Sequence, residues 1–271
     1  MHESKYVDQF DAIAYRKRIK YAAMNGVTSL ILTGTGEALQ NKRFLALITE
    51  VLRKENHPFP NVEIQTTGVF LNESWSYVHP DSGQTIIEYP NVKILKDLGV
   101  NTISLSVSDI FNNKNNMDII GTPEKIQFDL DNLCKFIKNM GFNLRLSLNL
   151  TNAYDSRHPV DILSRCKGLG ADQITFRELF SGNQMTREDI WVKGNRMNDI
   201  RFKMLSERIE FEGKQLYTLP FGANVYSING MSVALDNDCM STNKNESLKY
   251  VILRENGKLY CRWDDEGSLI F

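Results

Sequence analysis

Two glycines and a carboxylate close one short apolar run. Ser29-Leu30-Ile31-Leu32 leads into Thr33-Gly34-Thr35-Gly36-Glu37-Ala38. The run reads as a buried strand and the glycines as a tight turn at its end. Such a turn lets a ligand approach the backbone, and Glu37 offers an acceptor for a cation. The plainer reading is a connecting loop with a surface glutamate, and on this stretch alone the two stand level. Four later segments end in polar residues: Gln65-Thr66-Thr67-Gly68; Ser104, Ser106, Ser108 and Asp109; Ser147, Asn149 and Thr151; Thr175, Arg177 and Glu178. Hydroxyls and amides are poor nucleophiles without a base, but good donors and acceptors for a sugar, an amino acid or a carboxylate. Taken singly, they read equally as small polar fillers inside a barrel. Arg177 differs. A guanidinium turned into a barrel mouth is costly unless it meets a carboxylate or phosphate. Glu178 or Glu37 could be its structural partner, and Arg145 could fill the same role on the preceding strand.

The elements that must position these residues follow from periodicity. Strands are expected over 27–33, 62–68, 100–109, 143–151 and 172–178. Helices are expected over 8–25, 41–54, 91–98, 122–140 and 159–167. In the second of these, Asn41 can cap, while Phe44, Leu45, Leu47, Ile48, Val51 and Leu52 share a face. Residues 71–88 read as a hairpin insertion turning at 79–83, and 112–121 as an Asn-rich loop. Thr122-Pro123 reads as a helix start. Strand and helix alternating at this spacing mean βα units and a parallel sheet, with ligands at the carboxyl ends of the strands. After Glu178 the pattern changes. Residues 186–209 are polar and helical in type, and then Asn229-Gly230 and Asn256-Gly257 each sit between strand-like runs, a strong hairpin signal. The expected organisation is an α/β domain over 1–185, then a helical connector and a small antiparallel β region over 186–271. Tyr250, Tyr260, Arg262 and Trp263 in the tail read as a hairpin core rather than nucleobase contacts.

Composition narrows the function classes. The chain has 271 residues, and its 32 basic and 33 acidic residues leave a net charge of -1. That balance argues against a dedicated nucleic-acid surface. No apolar run approaches the roughly 20 residues of a membrane span. The polar start Met1-His2-Glu3-Ser4-Lys5 is not a signal peptide, so a cytoplasmic chain with reduced thiols is expected. Cys134, Cys166, Cys239 and Cys261 are scattered, without metal-site spacing. His2, His57, His79 and His158 are scattered too and read as surface residues.

Thr35-Gly36-Glu37 after an apolar strand, then Ile64-Gln65-Thr66-Thr67-Gly68, then Ile103-Ser104-Leu105-Ser106-Val107-Ser108, resembles the strand-end series of radical S-adenosylmethionine (SAM) enzymes. The resemblance spans roughly residues 1 to 180. It implies a partial (β/α) barrel and a small-molecule cofactor, S-adenosylmethionine. Thr35-Gly36-Glu37-Ala38 takes the place of the family's Gly-Gly-Glu-Pro turn, which hydrogen-bonds the methionine amino group; Thr and Ala are departures from it. Thr66 and Thr67 fall where the family often has a Thr-Asn-Gly turn. Ser106 and Ser108 fall where polar residues contact the ribose or carboxylate. Asn149 lies on the strand that helps hold the adenosine, and Arg177 on the strand after it. The family's CxxxCxxC loop, which holds a [4Fe–4S] cluster, is missing from this chain. Counting back from Gly36 by the family spacing places that loop, with the first strand, at or before Met1. The expectation is therefore the core of a radical SAM enzyme with cluster ligands upstream of Met1, the chain alone being inactive. The alternatives are a cluster-free barrel that binds S-adenosylmethionine or a nucleotide, and an unrelated barrel enzyme using Glu37 and Arg177. An unpaired sheet edge at 27–33 is expected to reduce stability or promote self-association.

Overall fold

The structure, a computed structural model, describes residues 10–34, 36–78, 85–181, 185–219, 222–236, 250–254, 256–262 and 266–270. Thr35, Cys239, Trp263 and the turn expected at 79–83 lie outside the described residues. In chain order the first elements are α1 (Ala12–Met24), β1 (Ser29–Leu32), α2 (Lys42–Lys54), β2 (Asn61–Thr66), β3 (Ser74–Val78), β4 (Thr85–Pro90) and α3 (Asn91–Asp97). Then come β5 (Thr102–Val107), α4 (Asn113–Ile119), α5 (Leu130–Asn139), β6 (Asn143–Leu150), α6 (Pro159–Gly168) and β7 (Gln173–Glu178). The last are α7 (Arg187–Asn195), α8 (Asp199–Glu212), β8 (Lys214–Thr218), β9 (Asn224–Ile228), β10 (Met231–Asp236), β11 (Ile252–Leu253) and β12 (Leu259–Tyr260). The fold is mixed α/β, with eight strands in a mostly parallel sheet and a separate two-stranded antiparallel pair, β3 and β4. It is consistent with a partial β/α barrel. The five strands expected from the sequence are β1, β2, β5, β6 and β7.

Two compact units divide the chain: residues 1–66, 70–102 and 248–271, and residues 67–69 and 103–247. In the first, β1 runs parallel to β2 with Ile31 opposite Glu63 and Leu32 opposite Ile64. α2 buries Leu45, Ile48, Val51 and Leu52, and the Asn41 side chain accepts the Phe44 N–H at 3.2 Å as its cap. The tail returns to this unit. β11 and β12 form the hairpin expected around Asn256-Gly257. Tyr15 on α1, 1% exposed, donates its hydroxyl to the Arg254 carbonyl at 2.6 Å.

In the second unit, β6 and β7 are parallel, with Leu146 opposite Ile174, Ser147 opposite Thr175, Leu148 opposite Phe176 and Asn149 opposite Arg177. Because side chains alternate, this register sorts them into an apolar face and a polar face, and a slip of one residue would exchange the two. Leu144, Leu146, Leu148 and Phe176 on the apolar face are fully buried. β10 then pairs with β7 in parallel, Val233 opposite Ile174 and Asp236 opposite Arg177. β9 and β10 form the antiparallel hairpin expected at Asn229-Gly230, where both turn residues have positive φ, 51° and 76°. That conformation suits a two-residue primed turn.

Two local expectations shift. The Asn-rich stretch is α4 rather than loop, with the Asn112 side chain accepting the Asn115 N–H at 3.0 Å. Side-chain capping by asparagine outweighs its weak helix propensity here. Thr122-Pro123 opens only a 3-10 turn at Glu124–Ile126. α5 starts later, at Leu130, because the Asp129 carboxylate caps the Asn132 N–H at 2.9 Å.

Candidate functional site

In the first unit the turn after β1 meets the end of β2 through side chains. Glu37 Oε1 accepts the Leu39 N–H at 3.0 Å, capping the 3-10 turn Ala38–Gln40, and accepts the Thr66 hydroxyl at 2.6 Å. Thr66 is 3% exposed, so it acts on Glu37 from within the core. Glu37 is half-buried, and Gly36 is exposed. A Cβ built on Gly36 would meet nothing within 4 Å, and its φ is not in the left-handed region. Packing does not require glycine there; what glycine leaves is room beside a carboxylate already fixed in direction.

A second polar line runs along the opposite face of β2. Thr33 Oγ1 donates to Gln65 Oε1 at 3.0 Å, and Gln65 Nε2 donates to Glu63 Oε1 at 3.3 Å. Glu63 is 7% exposed, a buried carboxylate that sequence reasoning passed over. Its signal was available: Val62-Glu63-Ile64-Gln65 alternates, which puts Glu63 and Gln65 on one face.

In the second unit, Ser108 and Asn149 are joined in one network, and Arg177 stands opposite Asn149 on the next strand. Asn149 Nδ2 donates to Ser108 Oγ at 3.3 Å. Thr151 Oγ1 donates to the Ser108 carbonyl at 2.9 Å, and the Ser108 N–H donates to Asn116 Oδ1 at 2.8 Å. Ser108 is 2% exposed, so its hydroxyl orients Asn149 rather than meeting solvent. Ser106 is half-buried on the face that also carries Ser104 and Ser108. The Arg177 Nε donates to Ser147 Oγ at 2.6 Å, and the Arg145 Nε to Gln173 Oε1 at 2.7 Å. The Nε of each guanidinium thus meets a neutral neighbour. Asn116 was the residue missed here. It came from a stretch read as loop, and nothing in its spacing marked it.

Thr67 is half-buried, and Gly68 beside it has a φ of +90°. A Cβ on Gly68 would stand 2.5 Å from Leu133 Cδ2. Asp109 is spent locally: Oδ1 accepts the N–H groups of Phe111 and Asn112, and Oδ2 accepts Asn115 Nδ2. Glu178 lies on the other face of β7, 4.0 Å from Arg196. Burial raises its pKa, against the opposing pull of Arg196.

An iron–sulfur cluster finds no donor set among the described residues, where no three His, Cys, Asp or Glu side chains group for a metal. Cys134 and Cys166 are fully buried, and desolvation pushes the Cys134 thiol up to about 12 and raises Cys166 as well. Thiols held protonated in a helix layer do not fit a cluster, which needs thiolates. No helix among the described residues is long and apolar enough to cross a membrane.

The chain shares its fold with solved structures, one of them described as a radical SAM enzyme. SuiB of Streptococcus suis superposes with a TM-score of 0.54 over 93% of this chain and 54% of its own, at 14% sequence identity. Coproporphyrinogen III oxidase (HemN) of Escherichia coli, described as a radical SAM enzyme, superposes with a TM-score of 0.50 over 78% of this chain and 46% of its own, at 18% identity. The chain spans about half the length of these structures. No protein-family model matches it, and no curated protein matches it either.

Proposed function

We propose that this chain binds S-adenosylmethionine as the core of a radical SAM-type enzyme, with Glu37 taking the ammonium of the methionine moiety. The observation that supports this most is the pre-aimed carboxylate: Glu37 is held by the Thr66 hydroxyl and the Leu39 N–H on one oxygen, beside open space at Gly36. A carboxylate fixed before the ligand arrives loses little entropy on binding it, which favours a charged nitrogen partner. Thr35 adjoins Gly36 in sequence and is proposed as a further contact. Thr67, Ser106, Asn149 and Arg177 are proposed ligand contacts of the second unit, with Ser108 holding Asn149 in place. Their variants are read independently of Glu37. When bound, a [4Fe–4S] cluster would supply the electron for radical chemistry. Its ligands are not found among the described residues, so no step of this chain is assigned through it.

Titration calorimetry with S-adenosylmethionine tests the reading. The wild-type chain is expected to bind, and Glu37→Gln to weaken binding at least tenfold while preserving the Leu39 cap. No binding by the wild type overturns it. Anaerobic reconstitution with iron and sulfide, read by cluster absorbance and 5′-deoxyadenosine, separates the two forms of the proposal. Binding without either signal favours a cluster-free SAM- or nucleotide-binding barrel.

A further inference from the structure

Helix α8 in the second unit buries one side and leaves the other bare. Leu205 and Ile209 are fully buried, on the side where the helix packs against α6 and β9. On the other side Ile200 is 71% exposed, Met204 37% and Phe211 84%, the highest exposure of any large apolar side chain among the described residues. At about 100° per residue these three fall within roughly 40° of one line along the helix. A shallow depression of about 560 Å³, lined by Asp155, Asn198, Ile200, Arg201 and Met204, lies at the start of that line. Gly213 then leads directly into β8, the last strand of its sheet, whose residues are all exposed. Leu216 at 50% and Tyr217 at 55% are exposed on it.

The charges around the stripe are ordered along it. Arg201 and Lys203 come early and Glu207, Glu210 and Glu212 late; of the two exceptions, Asp199 is paired with Arg196 and Arg208 with Glu212, which leaves Lys203 facing one flank and Glu207 and Glu210 further along it. Acidic groups at a helix C-terminus oppose the helix dipole, so a helix working alone gains nothing from this order. It is self-complementary, however. A second copy of the helix laid antiparallel brings Lys203 of one against Glu207 and Glu210 of the other.

We propose that α8 is a self-association surface, on which a second copy of this chain packs its own α8 antiparallel about a two-fold axis that crosses the exposed stripe midway between Ile200 and Phe211. A two-fold interface uses the same patch twice. Ile200 then lies beside Phe211 of the second copy, whose ring enters the depression at Ile200 and Met204. Lys203, which reaches Glu207 on its own helix only at 3.7 Å, lies beside Glu207 and Glu210 of the second copy. One helix pair covers less than the roughly 800 Å² per partner of a standard interface. The dimer is therefore expected to depend on concentration.

Sedimentation of the full chain over a range of concentrations tests this. The wild type is expected to pass from monomer to dimer. Phe211→Asp is expected to raise the dissociation constant at least tenfold with the circular-dichroism spectrum unchanged. Lys203→Glu and Glu210→Lys are each expected to weaken the dimer, and the double reversal to recover part of the loss, which a merely unfolded variant would not do. A wild type that stays monomeric throughout overturns the proposal. So does a dimer that survives Phe211→Asp, or one dissolved instead by Ile31→Lys at the edge of β1.

Discussion

The Thr66 hydroxyl donates to Glu37 Oε1 at 2.6 Å, tying the end of β2 to the turn that follows β1. Thr66→Val keeps the shape of the side chain and removes the donor. A hydrogen bond to a charged group contributes about 1.5–3 kcal/mol. Some of that stability is expected to disappear in urea unfolding, and S-adenosylmethionine affinity is expected to fall with it, since Glu37 loses its aim. Unchanged affinity in the folded variant would show that Thr66 does not position the carboxylate for a ligand.

Gly36 and Gly68 should respond oppositely to alanine. At Gly36 a Cβ meets nothing, so Gly36→Ala is expected to change stability by no more than about 0.5 kcal/mol. Its ligand affinity should drop if the ligand occupies that space. At Gly68 the φ of +90° and the 2.5 Å approach to Leu133 Cδ2 leave no room. Gly68→Ala is expected to cost about 1–3 kcal/mol in denaturant unfolding.

Arg177 is positioned in part by a hydroxyl. Its Nε donates to Ser147 Oγ at 2.6 Å, and lysine has no equivalent planar fork. Arg177→Lys is expected to remain folded, with the melting temperature lowered by a few degrees, and to weaken S-adenosylmethionine binding at least tenfold. Equal affinity for variant and wild type would remove Arg177 from the binding residues.

Two carboxylates give opposite pH signatures. Burial holds the Glu178 pKa above the usual value of 4.5, with Arg196 pulling the other way and Asp199 adding to the rise. Its folded state therefore binds the proton more tightly than its unfolded state, and its contribution is lost as pH rises from about 4.5 through the raised value. Asp131 is the reverse: its hydrogen bonds with Arg165, at 2.6 and 2.8 Å, hold its pKa below 3.8. Its contribution is present above 3.8 and lost as pH falls through the lowered value. Urea unfolding across pH, with Glu178→Gln and Asp131→Asn, checks both signs. The Gln variant should gain on the wild type as pH rises, and the Asn variant should gain as pH falls.

Thiol chemistry offers a further check. Cys134 and Cys166 are fully buried with raised pKa values, whereas Cys261 is half-buried. Under native conditions a thiol reagent should reach Cys261 well before either buried thiol, as mass mapping can show. Rapid labelling of Cys134 would mean that the α5 layer opens readily.

Local patterns carried much of this protein. The alternation in Leu144-Arg145-Leu146-Ser147-Leu148-Asn149 marks a strand with one polar face before any partner is known, because the side-chain period of a strand is two. Asn229-Gly230 and Asn256-Gly257 mark hairpins because positive φ is cheap at those residues, and the order of strand ends was enough to suggest the superfamily. Pairing between distant segments was not legible. That β10 joins β7 in parallel, that Tyr15 docks the tail through Arg254, and that Thr66 rather than a ligand first engages Glu37 depend on contacts far apart in the chain. Asn116 illustrates the limit: nothing local marks it, and only tertiary packing sets its amide against the Ser108 N–H. A short-range signal reports the backbone's own preferences, whereas register and burial follow from which apolar faces find one another once the chain has collapsed.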